Sequence, residues 1–457
     1  MSRKSKVLLL IACALYLFLF FTDKSTLTKA LGLLFIIQLL WIGRVFPLAY
    51  SSMILILLLS FHFFTFDKTL SYFGSGLVWL LFSTFILSHA FIKTGLANRI
   101  SLSILSLAKG SGKLLIFISF VLEFILTLFI PSNIGKGQLI SSILDDLIKH
   151  LRKVQDTTNI GKSLFIGIAY VSSVSAAFVP TGASSTVYAF GMLSSLSNQI
   201  NYLTWILYIG VPIGLFVLCL WLIFLLQFPV QSADFSLIKQ LIQSKRKDLG
   251  KWGPEEKRTA LITGLVLLLW LTQPLHHQPI SLIALLGAVL VLFPRLGVMH
   301  WHEVKQVVDW DMMIFFASTL MLSNMLIETG TLSALTTFII NSSQDLNSTY
   351  VIIASIILTA LVRIVFVNVL GYLSIMLPLA IAVGEHLQEP LSLALTMAVY
   401  LATVPGFLLI TQSPVHMISY SYKHFETHDL FRVGLLAMAA WVVILILAVF
   451  LYWDMVI

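Results

Sequence analysis

Apolar residues fall along this chain in blocks near the ~20 residues that a helix needs to cross a bilayer, with short polar stretches between them. The blocks are continuous Leu/Ile/Phe runs. A transmembrane barrel would show alternating ten-residue segments instead. Lipid offers no partner for open backbone groups, so each block predicts a helix. Spans are predicted near 7–21, 29–43, 47–65, 74–92, 163–196, 203–227, 259–273, 279–294, 311–328, 391–421 and 430–453. A polar, interfacial segment is expected at Lys93–Lys113. Two further apolar segments are interrupted: 114–147, broken by PSNIGKG, and 350–385, broken at FVNVLG.

Composition agrees. The chain has 457 residues, of which 58% are hydrophobic and 11% charged, with a mean hydropathy of +0.97. Soluble domains carry about 25% charged residues. The net charge of +8 suggests a nucleic-acid partner only until its placement is considered. The cations lie in loops between the apolar blocks, where Lys and Arg set topology. With Arg3, Lys4 and Lys6 in the cytoplasm, the groups at Arg44, 93–113, 149–162, 239–258, 295–305 and 423–432 also fall inside. The C-terminus then lies outside. This holds only if both interrupted segments enter and leave on one side. The fold predicted is therefore an all-α polytopic membrane protein, with about eleven transmembrane helices plus two re-entrant helical hairpins. Cys13 and Cys219, both in apolar runs, make neither a disulfide framework nor a CxxC metal site. The apolar run after MSRKSK ends in FLFFTDK without a small-residue cleavage site, which reads as a first membrane helix.

The chain also repeats itself at a constant offset of 235 residues. Ser83-Thr84 matches Ser318-Thr319, Thr94-Gly95 matches Thr329-Gly330, and Asn133 matches Asn368. By the topology above the two halves are inverted. Inverted repeats with broken helices at matching positions point to a secondary transporter. The chain divides into N-terminal scaffold helices (1–72), a first repeat with hairpin one (73–227), a basic cytoplasmic connector (228–258), and a second repeat with hairpin two and the C-terminal helices (259–457).

Candidate chemistry gathers at the interruptions. In Pro131-Ser132-Asn133-Ile134-Gly135-Lys136-Gly137, proline and glycine break the helix. The freed N–H groups favour an anion, and Lys136 adds a charge that snorkels to the cytoplasm if it has no role in the site. Ser132, Asn133 and Gly135 are also candidate Na⁺ ligands. The second tip keeps Asn368 and Gly371 as candidate substrate ligands, Asn368 also as a candidate Na⁺ ligand, with Arg363 upstream, either drawing an anion or pairing with a carboxylate. Each half has one more broken helix, at Thr181-Gly182-Ala183-Ser184 and at Thr411-Gln412-Ser413-Pro414. Thr411, Ser413 and Pro414 are assigned to substrate, Thr181 and Ser184 to the ion. The alternative for both is a bare proline kink. Glu123 either pairs with a cation, takes up a proton, or is a protonated, structurally buried side chain. No Walker A, HExxH or GxSxG pattern sits in a supporting context.

These motifs resemble the divalent anion:sodium symporter family, in its bacterial citrate and C4-dicarboxylate branch. PSNIGKG resembles that family's Pro-Ser-Asn-Thr-Ala-Arg-Gly hairpin. FIKTGLANRI, GPEEKRTALI, VDWDMMIFFASTLMLSNMLIETG, SPVHMISYSY and DLFRVGLL follow in the expected order. The resemblance implies a homodimer whose transport domains carry substrate in an elevator-like motion. It places substrate carboxylates between the hairpin tips, with Na⁺ beside them. Here the family's Ser-Asn-Thr is Ser132-Asn133-Ile134 in one tip and Val367-Asn368-Val369 in the other, so both threonines and one serine are lost. The expectation is a secondary transporter of a small anion, a di- or tricarboxylate, by Na⁺ symport or anion exchange. It needs no cofactor beyond Na⁺ as coupling ion, has no nucleic-acid partner and sits in a bacterial cell membrane. An inorganic oxyanion such as sulfate is the alternative cargo. A membrane enzyme or a receptor without transport is the alternative class.

Overall fold

The computed structural model describes residues 3–457 except 154–155, 198, 231–235, 343–346 and 389. All regular structure among the described residues is helical. In chain order the helices are α1 (Arg3–Phe20), α2 (Thr26–Ile42), α3 (Leu48–His62), α4 (Phe66–Ser71), α5 (Gly76–Lys93), α6 (Leu96–Leu105), α7 (Gly112–Thr127), α8 (Asn133–Leu151), α9 (Thr158–Ala176), α10 (Ser184–Leu196), α11 (Tyr202–Gln227) and α12 (Ser236–Asp248). There follow α13 (Pro254–Leu271), α14 (Gln273–His276), α15 (Ile280–Leu292), α16 (Trp301–Val307), α17 (Trp310–Glu328), α18 (Thr331–Ser342), α19 (Ser348–Val362), α20 (Val369–Gly384), α21 (Leu391–Thr403), α22 (Pro414–Ser421) and α23 (Thr427–Leu447).

Among the described residues, four helices combine the length and hydropathy to cross a bilayer: Gly76–Lys93, Tyr202–Gln227, Trp310–Glu328 and the continuous segment Thr427–Val456. Seven further apolar helices among the described residues have 10–17 residues. The predicted breaks occur. The run at 163–196 divides into α9 and α10, and 391–421 into α21 and α22. The connector 228–258, expected only to be hydrophilic, contains the basic helix α12; its residues 231–235 lie outside the described residues. The segment after Lys93 is α6 and a short 3₁₀ turn.

Helix boundaries follow the sequence repeat. The ends of α5 and α17 (Lys93, Glu328), the starts of α6 and α18 (Leu96, Thr331) and the ends of α7 and α19 (Thr127, Val362) are each 235 residues apart. Gly95 and Gly330, also 235 apart, have φ of 82° and 69°. Only glycine adopts that left-handed turn freely.

The chain forms two compact units, each discontinuous in sequence. One comprises Met1–Trp79, Asp309–Thr403 and Val449–Ile457; the other comprises Leu80–Val308 and Val404–Ala448. In the first, α17 packs on α3 and α20 on α21, with Trp41 edge-on to Phe315. In the second, α9 is the centre. It packs against α7, α8 and α22, and nearly every residue from Ser163 to Ala176 is buried. Glycine permits close approach: a Cβ on Gly167 of α9 would lie 2.3 Å from Phe120 of α7, and one on Gly137 of α8 would lie 2.7 Å from Val415 of α22. At this unit's rim Lys93 pairs with Glu303 of α16 at 2.6 Å, holding the Glu303 carboxyl below the usual carboxylate range.

Candidate functional site

The first interrupted segment is two helices, α7 and α8, packed on each other and joined by a break at 128–132. Ser132 caps α8: its Oγ accepts from Gly135 N at 3.1 Å. An N-cap oxygen satisfies one of the four N–H groups that a helix start leaves open. Asn133 is then the first helical residue, and its side chain is not needed for capping. Its Oδ1 is buried with no hydrogen-bond partner. A buried acceptor left empty costs about 1–3 kcal/mol, so this oxygen is suited to receive a cation or a donor.

Lys136 does not reach water. It is 0% exposed, and so is Glu123. Lys136 Nζ donates to Ser175 Oγ of α9 at 3.2 Å and to Thr127 Oγ1 of α7. Thr127 Oγ1 in turn donates to the Glu123 carbonyl oxygen one turn back, at 2.7 Å. Ser175 Oγ donates to Ser172 O at 3.2 Å, and Ser172 Oγ to Glu123 Oε1 at 2.6 Å. Hydroxyls thus link a buried ammonium to a buried carboxylate. The charges compensate one another where either alone would be costly.

The breaks after α9 and before α22 lie in the same unit as the tip. A Cβ on Gly182 would lie 2.8 Å from Thr127 Cγ2 and 2.2 Å from Ala176 O, so the break after α9 lies against the end of α7. Its carbonyls are met by side chains: Thr186 Oγ1 donates to Ala176 O at 2.8 Å and Trp205 Nε1 to Ala177 O at 3.0 Å. Thr181 Oγ1 is 3.4 Å from the Tyr202 hydroxyl, and Ser184 begins α10. The second break is held likewise. Gln412 Oε1 accepts from Leu408 N and Leu409 N, each at 2.8 Å, and the Tyr170 hydroxyl donates to Phe407 O at 2.8 Å. Non-helical backbone survives at membrane depth only with such partners. Ser413 caps α22 through Val415 N at 3.3 Å, whereas Thr411 and Pro414 are exposed. A crevice of about 20 Å³ beside Pro131 is flanked by Thr84, Thr127, Thr181 and Thr263. That is room for one water-sized group.

The second tip belongs to the other unit and is built differently. Val367 stands where the first tip has Ser132, so Asn368 takes over the cap. Its Oδ1 accepts from Leu370 N at 3.0 Å and Gly371 N at 3.3 Å, and α20 starts at Val369. The Gly371 carbonyl accepts from Gln38 Nε2 at 3.3 Å. Arg363 is 2% exposed. It donates through Nε to Thr403 O at 2.7 Å and through Nη1 to Phe366 O. Tyr372 ties the arms together by donating to Thr359 O at 2.9 Å.

The structure thus brings Ser132, Asn133, Gly135 and Lys136 together, with Thr181, Ser184, Ser413 and Pro414 in the same unit. Asn368 and Gly371 lie in the other. Sequence reasoning missed Thr127, Ser172, Ser175 and Gln412. The available signal was spacing: Thr127 follows Glu123 by one turn, and Ser172 and Ser175 share a face at i, i+3.

A profile of the sodium:sulfate symporter transmembrane region matches residues 2–457. Among similar proteins, an L-tartrate/succinate antiporter of Escherichia coli strain UTI89 is 26% identical over 404 residues, covering 84% of this chain and 80% of that protein. A membrane protein of Cupriavidus necator H16 is 25% identical over 364 residues, 78% of this chain and 70% of that protein. An uncharacterized transporter of Haemophilus influenzae Rd is 24% identical over 328 residues, 70% of this chain and 67% of that protein.

Proposed function

The chain belongs to the sodium:sulfate symporter family, integral membrane transporters of small anions and not enzymes, and from that premise we propose that it exchanges small dicarboxylates across a bacterial cell membrane without obligatory Na⁺. The observation that carries this reading is the Lys136 ammonium. It is fixed among the Thr127 and Ser175 hydroxyls at the first tip, a position where oxygen donors would otherwise suit a free cation. A tethered cation supplies positive charge without a coupling ion. The antiporter relatives in Escherichia coli support exchange as the mode and succinate or L-tartrate as the cargo class. On this reading one carboxylate is held at the start of α8, where helix N–H groups favour an anion, and Asn133 Nδ2 is its donor. The two hairpins are re-entrant, the repeats inverted and the protein a homodimer, with carriage by elevator-like motion. The N-terminus lies in the cytoplasm and the C-terminus outside.

The test is counterflow in proteoliposomes. Labelled succinate should enter vesicles loaded with L-tartrate or succinate and should stay out of empty ones. Equal entry into empty vesicles would refute exchange. A second reading, Na⁺ symport with one ion at the first tip, is favoured by the unpartnered Asn133 Oδ1 and by the crevice beside Pro131, whose largely apolar wall includes four threonines.

A further inference from the structure

Glu123 has no part in anion binding as described so far, yet it is fully buried in the arm of the first hairpin. Its Oε1 accepts from Ser172, while Oε2 is buried without a partner. An ionised carboxylate has about four acceptor positions to satisfy, and this one has a single hydrogen bond among the described contacts. Among the titratable and charged groups described on helices packed against α7, Lys136 of α8 is linked to this carboxyl through Ser175 and Ser172. Lys162 of α9 is paired with Asp429, and Tyr170 is bonded to Phe407 O and Leu430 O. Arg99 of α6 forks onto Glu256, and from α11 Tyr202 lies against Thr181, with Tyr208 and Cys219 on the same helix. Asp145, Asp146, Lys149 and His150 lie more than two turns further along α8.

We propose that Glu123 is a proton-binding site coupled to the anion: it is ionised when the tip is empty and takes up one proton when a dicarboxylate binds. This rests on the reading that the anion occupies the first tip. The charge balance supplies the reason. In the empty state Lys136 and Glu123 sum to zero. A dianion brings the cluster to −2 in a medium of low dielectric. One proton from solvent on Glu123 Oε2 brings it to −1 and removes the charge from that buried carboxyl. Lys136 is then released from its internal counter-charge to face the substrate. The protein carries a proton along with its anion.

The test is exchange of L-tartrate, which stays a dianion across the neutral range, by reconstituted wild type, Glu123→Gln and Glu123→Asp as a function of pH. For wild type, KM should rise with pH by up to about tenfold per unit, the limit for one linked proton. Glu123→Gln should hold the low KM of acidic pH throughout, and Glu123→Asp should keep the slope. A flat wild-type profile, or a slope that survives in Glu123→Gln, overturns the proposal. Wild type that exchanges no dicarboxylate overturns the reading of the tip. Infrared difference spectra of the purified protein then decide Glu123 separately. A carboxylic-acid band that appears on acidification and is missing in Glu123→Gln supports the proton site. No such band overturns it.

Discussion

The two tips carry an asparagine at matching positions, Asn133 and Asn368, and the residue before each decides what that asparagine does. Ser132 caps α8 and leaves the Asn133 oxygen unpartnered. Val367 cannot cap, so Asn368 spends its oxygen on Leu370 N and Gly371 N. At the second tip the asparagine oxygen is therefore engaged as a cap. The cations differ as well. Lys136 sits among hydroxyls with a carboxylate beyond them, whereas Arg363 binds backbone carbonyls at the end of α21 and at its own tip. With serine before it the asparagine oxygen is left unpartnered, and with valine before it the oxygen holds the start of the helix.

The sharpest way to break this contrast is Lys136→Met. Removing one partner of a buried charge pair costs about 3–5 kcal/mol, and exchange should be abolished. Thermal unfolding should show the largest loss at alkaline pH. In acid Glu123 takes a proton and loses its uncompensated charge. Adding Glu123→Gln to this variant should restore stability at every pH without restoring exchange. Arg363→Met should lose about 1.5–3 kcal/mol for each charge-assisted bond removed. Counterflow corrected for folded protein should remain near wild type.

The asparagines sharpen the contrast at smaller scale. Asn368→Ala loses a helix cap, about 0.5–2 kcal/mol. Asn133→Ala should leave the unfolding temperature unchanged or slightly raised, because it removes an unsatisfied acceptor, while KM for succinate rises. The smallest effect belongs to Val367→Ser, which supplies a new cap and frees the Asn368 oxygen. Stability should stay within about 1 kcal/mol, and a Na⁺-dependent thermal shift absent from wild type should appear.

Much of this was legible in the sequence. Apolar blocks gave the helices because lipid forces hydrogen bonds inside each segment. Pro, Gly and polar residues gave the breaks, and the 235-residue offset reappears in the helix ends. What sequence could not show was which polar group each side chain would serve. Asn133 and Asn368 look equivalent until the cap is assigned, and capping depends on backbone angles one residue away. Lys136 and Arg363 both read as cations beside a tip. Their partners, Ser175 and the Thr403 carbonyl, are about 40 residues distant and carry no motif. Gln412 is a polar residue in a broken helix until its oxygen is seen holding two backbone N–H groups.

The central claim is that a tethered ammonium serves where a coupling ion would sit. It is tested most directly by the rate of succinate–succinate exchange in proteoliposomes as Na⁺ replaces choline on both sides at constant ionic strength. A rate independent of Na⁺, and lost in Lys136→Met, is the predicted result. A rate that falls to background without Na⁺ and saturates as Na⁺ is added would contradict it.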